Sequence, residues 1–343
     1  MIRKKAILIA VSLFNLVVYA QDPHFSQFYA APLFTNPAMA GTAECEKGSS
    51  IRAISNYRNQ WTNMEQGLHT IAASSDGQFF RQRIGFGLMA LHDRGGKGTL
   101  STTTFSLIGS FPLETEIVSM RLGIDLQGIQ NTLDKRDLVF ADQFDPFGNQ
   151  NVTTGEPGVV NGQLKCNLGT GFLIYTDIFY AGFAVHNLLK PDLRLLPVRQ
   201  EKIPTRYTLH MGVDLPKERS TSYATNRFAP QALLMVQGEY SQLNVGCNFK
   251  WVLGTTRVRD VNQNQLIFGA WVRQTVGLNR NTDALILTAA IKASKFKFGY
   301  SYDIVLDGKK TLARYSHEIS LAKYWCYGTV AQKTKKRICP APQ

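Results

Sequence analysis

The sequence predicts an all-β fold, an antiparallel transmembrane β-barrel of about fourteen strands. Three observations point there. Fourteen short stretches from Ile51 to Trp325 alternate apolar and polar residues, no helix-period segment separates them, and a secretory-type leader precedes them. The cleanest stretch is Phe296–Ile304: the aromatic or aliphatic Phe296, Phe298, Tyr300, Tyr302 and Ile304 face one way, and Lys297, Gly299, Ser301 and Asp303 the other. A strand has a side-chain period of two, so these two sets occupy opposite faces. Repeated fourteen times, that pattern predicts lipid outside and a polar lumen inside.

The leader spans residues 1–20. Arg3, Lys4 and Lys5 form a basic start, Ala6–Val17 is apolar apart from Ser12 and Asn15, and Val18-Tyr19-Ala20 ends in a small residue. This is the layout of a cleavable signal peptide. The apolar run is short against the roughly 20 residues a spanning helix needs. Residues 21–50 follow. Pro23, Pro32 and Pro37 exclude a continuous strand, while Phe25, Phe28, Tyr29 and Phe34 call for burial. We expect an ordered periplasmic or plug-like segment that caps or enters one end of the barrel.

The expected strands are Ile51–Gln60, Leu68–Phe80, Gln82–His92, Thr99–Phe111, Ile117–Gln130, Leu164–Tyr175 and Phe179–Asn187 in the first half. Thr205–Leu215, Pro230–Tyr240, Leu243–Gly254, Gln265–Val276, Asp283–Ala293, Phe296–Ile304 and Tyr315–Trp325 make the second. The barrel is thus 51–325. Val118, Met120, Leu122, Ile124 and Leu126 oppose Ser119, Arg121, Gly123, Asp125 and Gln127. An Arg and an Asp in a dry sandwich core would be costly; in a wet lumen they are not. The longest joints, 131–163 and 188–204, fall on one side and are expected to be extracellular, whereas Thr176–Ile178 and Ser294–Lys295 are short inner turns. The long inner joint 216–229 and the very short outer joint Ser241–Gln242 depart from that rule and raise the question of a miscounted strand.

The tail, residues 326–343, carries Lys333, Lys335, Lys336 and Arg337 and no acidic residue. We expect it in the periplasm, against an anionic surface. Formal net charge is +13, and +10 once Arg3, Lys4 and Lys5 leave with the leader. An exported barrel meets no nucleic acid, so anionic lipopolysaccharide, peptidoglycan or an acidic protein is the expected counterpart.

Of the five cysteines, Cys166 and Cys247 share strand faces with Leu168, Phe172, Val245 and Phe249, and are expected to face lipid as small hydrophobes. Cys45, Cys326 and Cys339 lie near the two chain ends. An even strand count brings those ends to one side, so a Cys45–Cys339 or a Cys326–Cys339 disulfide could form. No Cys/His spacing suggests a metal, and no cofactor is expected. His317 and Ser320 sit three apart on one strand and face opposite sides, so they cannot make a nucleophile–base pair; His186 and His210 fall on polar faces, where a solvated His is the ordinary reading. We expect no enzyme.

Several motifs carry a family resemblance. Gln21-Asp22-Pro23-His24-Phe25-Ser26-Gln27-Phe28 and Asn36-Pro37-Ala38-Met39-Ala40-Gly41 resemble the start of mature PorP/SprF proteins. Tyr57-Arg58-Asn59-Gln60-Trp61 is similar to their Tyr-Arg-x-Gln-Trp signature. The joint Asp93-Arg94-Gly95-Gly96, the strand Gly299–Asp303 and Ser316–Leu321 match in order. The resemblance implies an outer-membrane barrel of the type IX secretion system of Bacteroidota, linked to gliding motility. It would help to export or anchor particular surface cargo, such as a large adhesin. Secretion components, outer-membrane lipid and a periplasmic peptidoglycan-binding lipoprotein are the implied partners. Asn36, Pro37, Gly41, Asp93, Arg94 and the four basic tail residues are the candidate contacts. The alternative is a passive channel for small solutes, its lumen lined by Arg121, Asp125, Arg206 and Asp214.

Overall fold

The structure is a computed structural model. It describes residues 22–43, 49–62, 67–79, 84–95, 100–115, 118–136, 143, 159–193, 202–216, 226–254, 264–276, 281–306, 315–327 and 339–340. The strands are β1 (Ser49–Gln60), β2 (Leu68–Phe79), β3 (Ile84–Gly95), β4 (Leu100–Glu114), β5 (Ser119–Asp134), β6 (Val159–Asn161), β7 (Lys165–Tyr175) and β8 (Phe179–His186). They continue as β9 (Arg206–Val213), β10 (Leu215–Pro216), β11 (Arg227–Gln237), β12 (Tyr240–Leu253), β13 (Asn264–Thr275), β14 (Asn281–Ala293), β15 (Phe296–Val305) and β16 (Tyr315–Tyr327). β6 and β10 are short additions to β5 and β11. The other fourteen form one antiparallel sheet in chain order, closed where β1 pairs with β16 over Ser49↔Tyr327 to Gln60↔Ser316. Closure leaves no strand edge unpaired, which hydrocarbon requires.

Period two governs every wall. Along β5, Arg121, Gly123 and Asp125 point inward and Leu122, Ile124 and Leu126 outward. On β9, Arg206, Thr208 and His210 are buried inside, and Tyr207, Leu209 and Met211 lie outside. Cys166 is outward beside Phe172, and Cys247 shares the outer face with Val245 and Phe249. Tyr57–His69 and Tyr300–His317 pairs, hydrogen-bonded at 3.0 and 2.7 Å, sit on the outer wall toward one rim. Amphipathic rings there suit the lipid–water boundary.

The strand count of fourteen matches expectation, but several boundaries move. The turn after β11 is Gly238–Glu239, three residues before the expected Ser241–Gln242 joint; Gly238 has φ +60°, the left-handed value a two-residue hairpin needs. β3 extends to Gly95, so Asp93 and Arg94 are strand residues and not part of a joint. β5 continues to Asp134, past the expected end at Gln130.

Residues 22–43 lie inside the barrel. They run from the mouth remote from the chain ends of the barrel, which we call the remote mouth, to the near mouth where β1 starts and β16 finishes. Asp22 N donates to Gln237 Oε1 (2.9 Å) at the end of β11, and Ala43 packs with Ile54, Ala322 and Tyr324. Local chemistry sets the path. Pro32 and Pro37 open a single α-helical turn, Pro32–Thr35, and a 3₁₀ turn, Pro37–Met39; proline suits a first helical position because its φ is preset and no N–H is wasted. Asn36 caps the second turn, its side-chain oxygen accepting from Ala38 N at 2.9 Å. Thr35 Oγ1 donates to the carbonyls of Phe28 and Ala31 at 3.0 Å each.

This segment supplies much of the apolar core. Phe28 and Tyr29 pack on Trp271, Leu233 and Ile286; the Tyr29 and Trp271 rings stack with centroids 5.6 Å apart. Leu33 and Ala40 meet Met89 and Ile108, and Phe25 meets Leu91. Ala38 and Met39 join Leu173, Tyr175, Tyr180 and Cys339, so a residue of the C-terminal tail closes over the segment near the inner end. Burying each such aromatic or aliphatic side chain contributes about 1.5–3 kcal/mol.

Candidate functional site: the occupied lumen

The inward polar residues are spent on the segment rather than on water. Three groups of contacts hold it. On the wall made by β1, β15 and β16, Ser26 N and Gln27 N donate to the Glu318 carboxylate (2.7 and 3.1 Å), and Ser26 Oγ donates to Asp303 Oδ2 (2.5 Å). Arg58 bridges the same carboxylates, at 3.0 Å to Asp303 and 3.1 Å to Glu318. Arg273 pairs with Asp303 (3.1 Å) and Asp283 (2.5 Å). Gln27 adds bonds to the Glu318 carbonyl (3.1 Å) and from Ser320 Oγ (2.8 Å). Asp303 and Glu318 are fully buried, so their charge is tolerable only because Arg58 and Arg273 answer it.

Toward the near mouth, Arg52 and Asp76 form a buried pair at 2.8 Å, and Gly41 N donates to the same carboxylate (2.8 Å). Arg121 Nη2 and Ser110 Oγ both donate to the Ala40 carbonyl, at 3.0 and 2.7 Å. Toward the remote mouth, Arg206 pairs with Asp22 (3.0 Å), donates to the Phe34 carbonyl (3.0 Å) and lies 4.1 Å over the Phe34 ring. Asn187 Nδ2 also donates to Asp22, at 2.9 Å. Deeper in the lumen, Asn36 Nδ2 donates to the Phe172 carbonyl (3.0 Å) and lies 3.0 Å from His210 Nε2.

Two wall glycines make room for this. A side chain on Gly123 would overlap the backbone of Pro37 and Ala38, and one on Gly171 would overlap Asn36. His24 sits within reach of Arg58 (3.4 Å).

The sequence-predicted contacts fall as follows. Asn36, Pro37 and Gly41 are buried against the barrel's own wall. Arg94 is exposed, and Asp93 is half-buried, accepting from Thr70 Oγ1 at 2.5 Å. Lys333, Lys335, Lys336, Arg337 and Cys45 lie outside the described residues. Cys326 is disulfide-bonded, and Cys339 is buried against Tyr180 and Met39. Arg121, Asp125, Arg206 and Asp214 are all directed inward as expected, yet they are buried and not water-lined. His186 and His210, expected to be solvated, are each 2 % exposed or less. Sequence reading did not single out Arg52, Asp76, Asp283, Glu318 or Ser26. The available signal was an unusual density of inward charge of both signs opposite a proline- and aromatic-rich segment.

Among the described residues no three His, Cys, Asp or Glu side chains are grouped to hold a metal, and no helix is long and apolar enough to cross a membrane. The crossing is made by strands.

A closed barrel with an apolar outer wall and a lumen filled by its own N-terminal segment defines an outer-membrane β-barrel protein. Residues 17–322 match the family described as type IX secretion system membrane protein PorP/SprF, and the chain belongs to that family. It is therefore an outer-membrane component of type IX secretion, and fold and family point to secretion or transport rather than to an enzyme. No curated protein matches the chain. Among solved structures it is similar to a Pseudomonas aeruginosa FadL homologue, at 13 % identity and TM-score 0.45, with 87 % of this chain and 94 % of that one covered. It is also similar to the CymD monoaromatic hydrocarbon channel, at 11 % identity and TM-score 0.47, with 87 % and 93 % covered. These are likenesses of barrel to barrel, and nothing about ligand or partner follows from them.

Proposed function

We propose that this barrel is an accessory of type IX secretion that helps to export, or holds at the cell surface, a specific large secreted protein, as in gliding motility. One observation carries the reading: the lumen is filled by residues 22–43 through buried ion pairs and packed aromatics. A barrel built that way serves as a membrane anchor and docking platform. In this reading the near mouth faces the periplasm, where secretion components and a peptidoglycan-binding lipoprotein would meet it, and the remote mouth faces outward toward the cargo. The basic tail, Lys333, Lys335, Lys336 and Arg337, is proposed as an electrostatic contact on the periplasmic side. A passive solute channel would need that same lumen open, so its occupancy counts against the alternative.

The test is affinity purification of the full-length barrel from native membranes. One large secreted protein should co-purify with secretion components. Recovery of the barrel with lipid alone would overturn the reading. Neutralising the four tail residues should reduce the periplasmic partners recovered while the barrel stays folded; an unchanged set of partners would remove the tail from the proposal.

A further inference from the structure

A cavity of about 320 Å³ opens at the remote mouth, between the lumen segment and the inner wall of β3, β4, β5, β8 and β9. Asp22, Pro23 and Phe34 form its inner side. Leu193 and Ile203, from the joint after β8, pack with Ile129 along one edge. We propose that this cavity seats an extended peptide segment of the secreted partner, an inference that rests on the cargo-anchoring reading above.

Size comes first. The volume lies at the lower end of the roughly 300–1,000 Å³ usual for ligand pockets. It admits a few residues of extended chain and no folded domain. Lining comes second. Leu91, Ile129, Leu193 and Ile203 offer aliphatic surface, interleaved with the amides and hydroxyls of Thr102, Asn131 and Asn187. That mixture suits a chain that presents an apolar side chain and polar backbone within a few ångströms. An acyl chain would leave the amides without partners.

Buried polar atoms come third. His186 is 1 % exposed and lines the cavity, and among the described residues its ring meets a backbone group of Thr35, which leaves one ring nitrogen for a ligand. The Asp125 carboxylate lies 3.9 Å from it. A buried donor or acceptor left unmet is costly. A peptide backbone supplies one N–H and one C=O per residue, either of which can meet the remaining ring nitrogen. Charge comes last. Arg206 answers Asp22, while Asp93 has a hydroxyl, Thr70, and no cation beside it in the cavity lining. The balance disfavours a fatty-acid carboxylate or a lipid phosphate and favours N–H donors or a basic side chain.

The test is site-specific photo-crosslinking in native cells. A slim diazirine-bearing amino acid, too narrow to fill the cavity, replaces Thr102, which lines it, or Leu107, on the lipid-facing wall. The Thr102 probe should yield an adduct identified by mass spectrometry as the secreted protein, and the Leu107 probe none. Filling the cavity by Ile129→Trp, in cells carrying the Thr102 probe, should lower that adduct at least tenfold at unchanged barrel level. Should Ile129→Trp fail to assemble, Thr104→Phe fills the same space from a half-buried position. A secreted protein that co-purifies yet never crosslinks at Thr102, or survives filling, places docking elsewhere and overturns the inference. A lipopolysaccharide adduct at Thr102 overturns it as well. Absence of any secreted protein from the purification would instead remove the cargo-anchoring reading itself.

Discussion

Replacing Glu318 by Ala should release the lumen segment without opening the strand ladder. In the native protein this carboxylate accepts from Ser26 N and Gln27 N and pairs with Arg58. Truncation leaves two buried amides unmet and Arg58 facing Asp303 alone, which is itself shared with Arg273. Breaking a buried pair by removing one partner costs about 3–5 kcal/mol, and the two orphaned donors are part of that figure rather than additional to it. Water entering the relaxed site recovers some of the loss, so about 3 kcal/mol is the working value for weakened docking. At about 1.4 kcal/mol per factor of ten, the undocked population rises roughly a hundredfold. Hydrogen–deuterium exchange reads this directly, since both amides belong to the segment. Exchange at Ser26 and Gln27 should accelerate about a hundredfold while strand amides of β15 and β16 keep their protection. Protection at Ser26 and Gln27 within threefold of wild type would refute the reasoning, because the network would then not be what holds the segment.

Other outcomes follow from the same geometry. Gly123→Val places a branched side chain in the backbone of Pro37 and Ala38; overpacking of that kind costs about 1–3 kcal/mol, so limited proteolysis should cut within residues 36–41 faster than in wild type. Ile124→Arg, on the lipid face of β5, should lower barrel stability by about 2–4 kcal/mol if it lies near the bilayer midplane, read as earlier unfolding in urea.

The barrel was legible because its signal is local. Alternation along Phe296–Ile304 or Val118–Gln127 says which residues face lipid, and an even number of such runs says where the chain ends meet. Boundaries were less legible. In β11 the continuous apolar run Ala232-Leu233-Leu234-Met235-Val236 hides where the strand ends, and the Ser241-Gln242 pair mimics a turn, while the deciding fact is a left-handed φ at Gly238 that composition does not display. The lumen was legible only by half. Period two correctly sent Arg121, Asp125 and Arg206 inward, yet says nothing about what else is inside. Arg58, Asp303 and Glu318 belong to three different strands, and only closure brings them onto Ser26. Nothing in the sequence shows that Gly123 and Gly171 clear space for Asn36, Pro37 and Ala38. The prolines and aromatics of residues 21–50 were the one sequence signal that something ordered had to be accommodated.

Planar-bilayer recording tests the occupied lumen most directly. Full-length barrel reconstituted at neutral pH should show no steady conductance, since buried side chains fill the path from Asp22 to Ala43. Large, long-lived openings from the intact protein would contradict the account, for ions would then be crossing a space that the segment is said to fill.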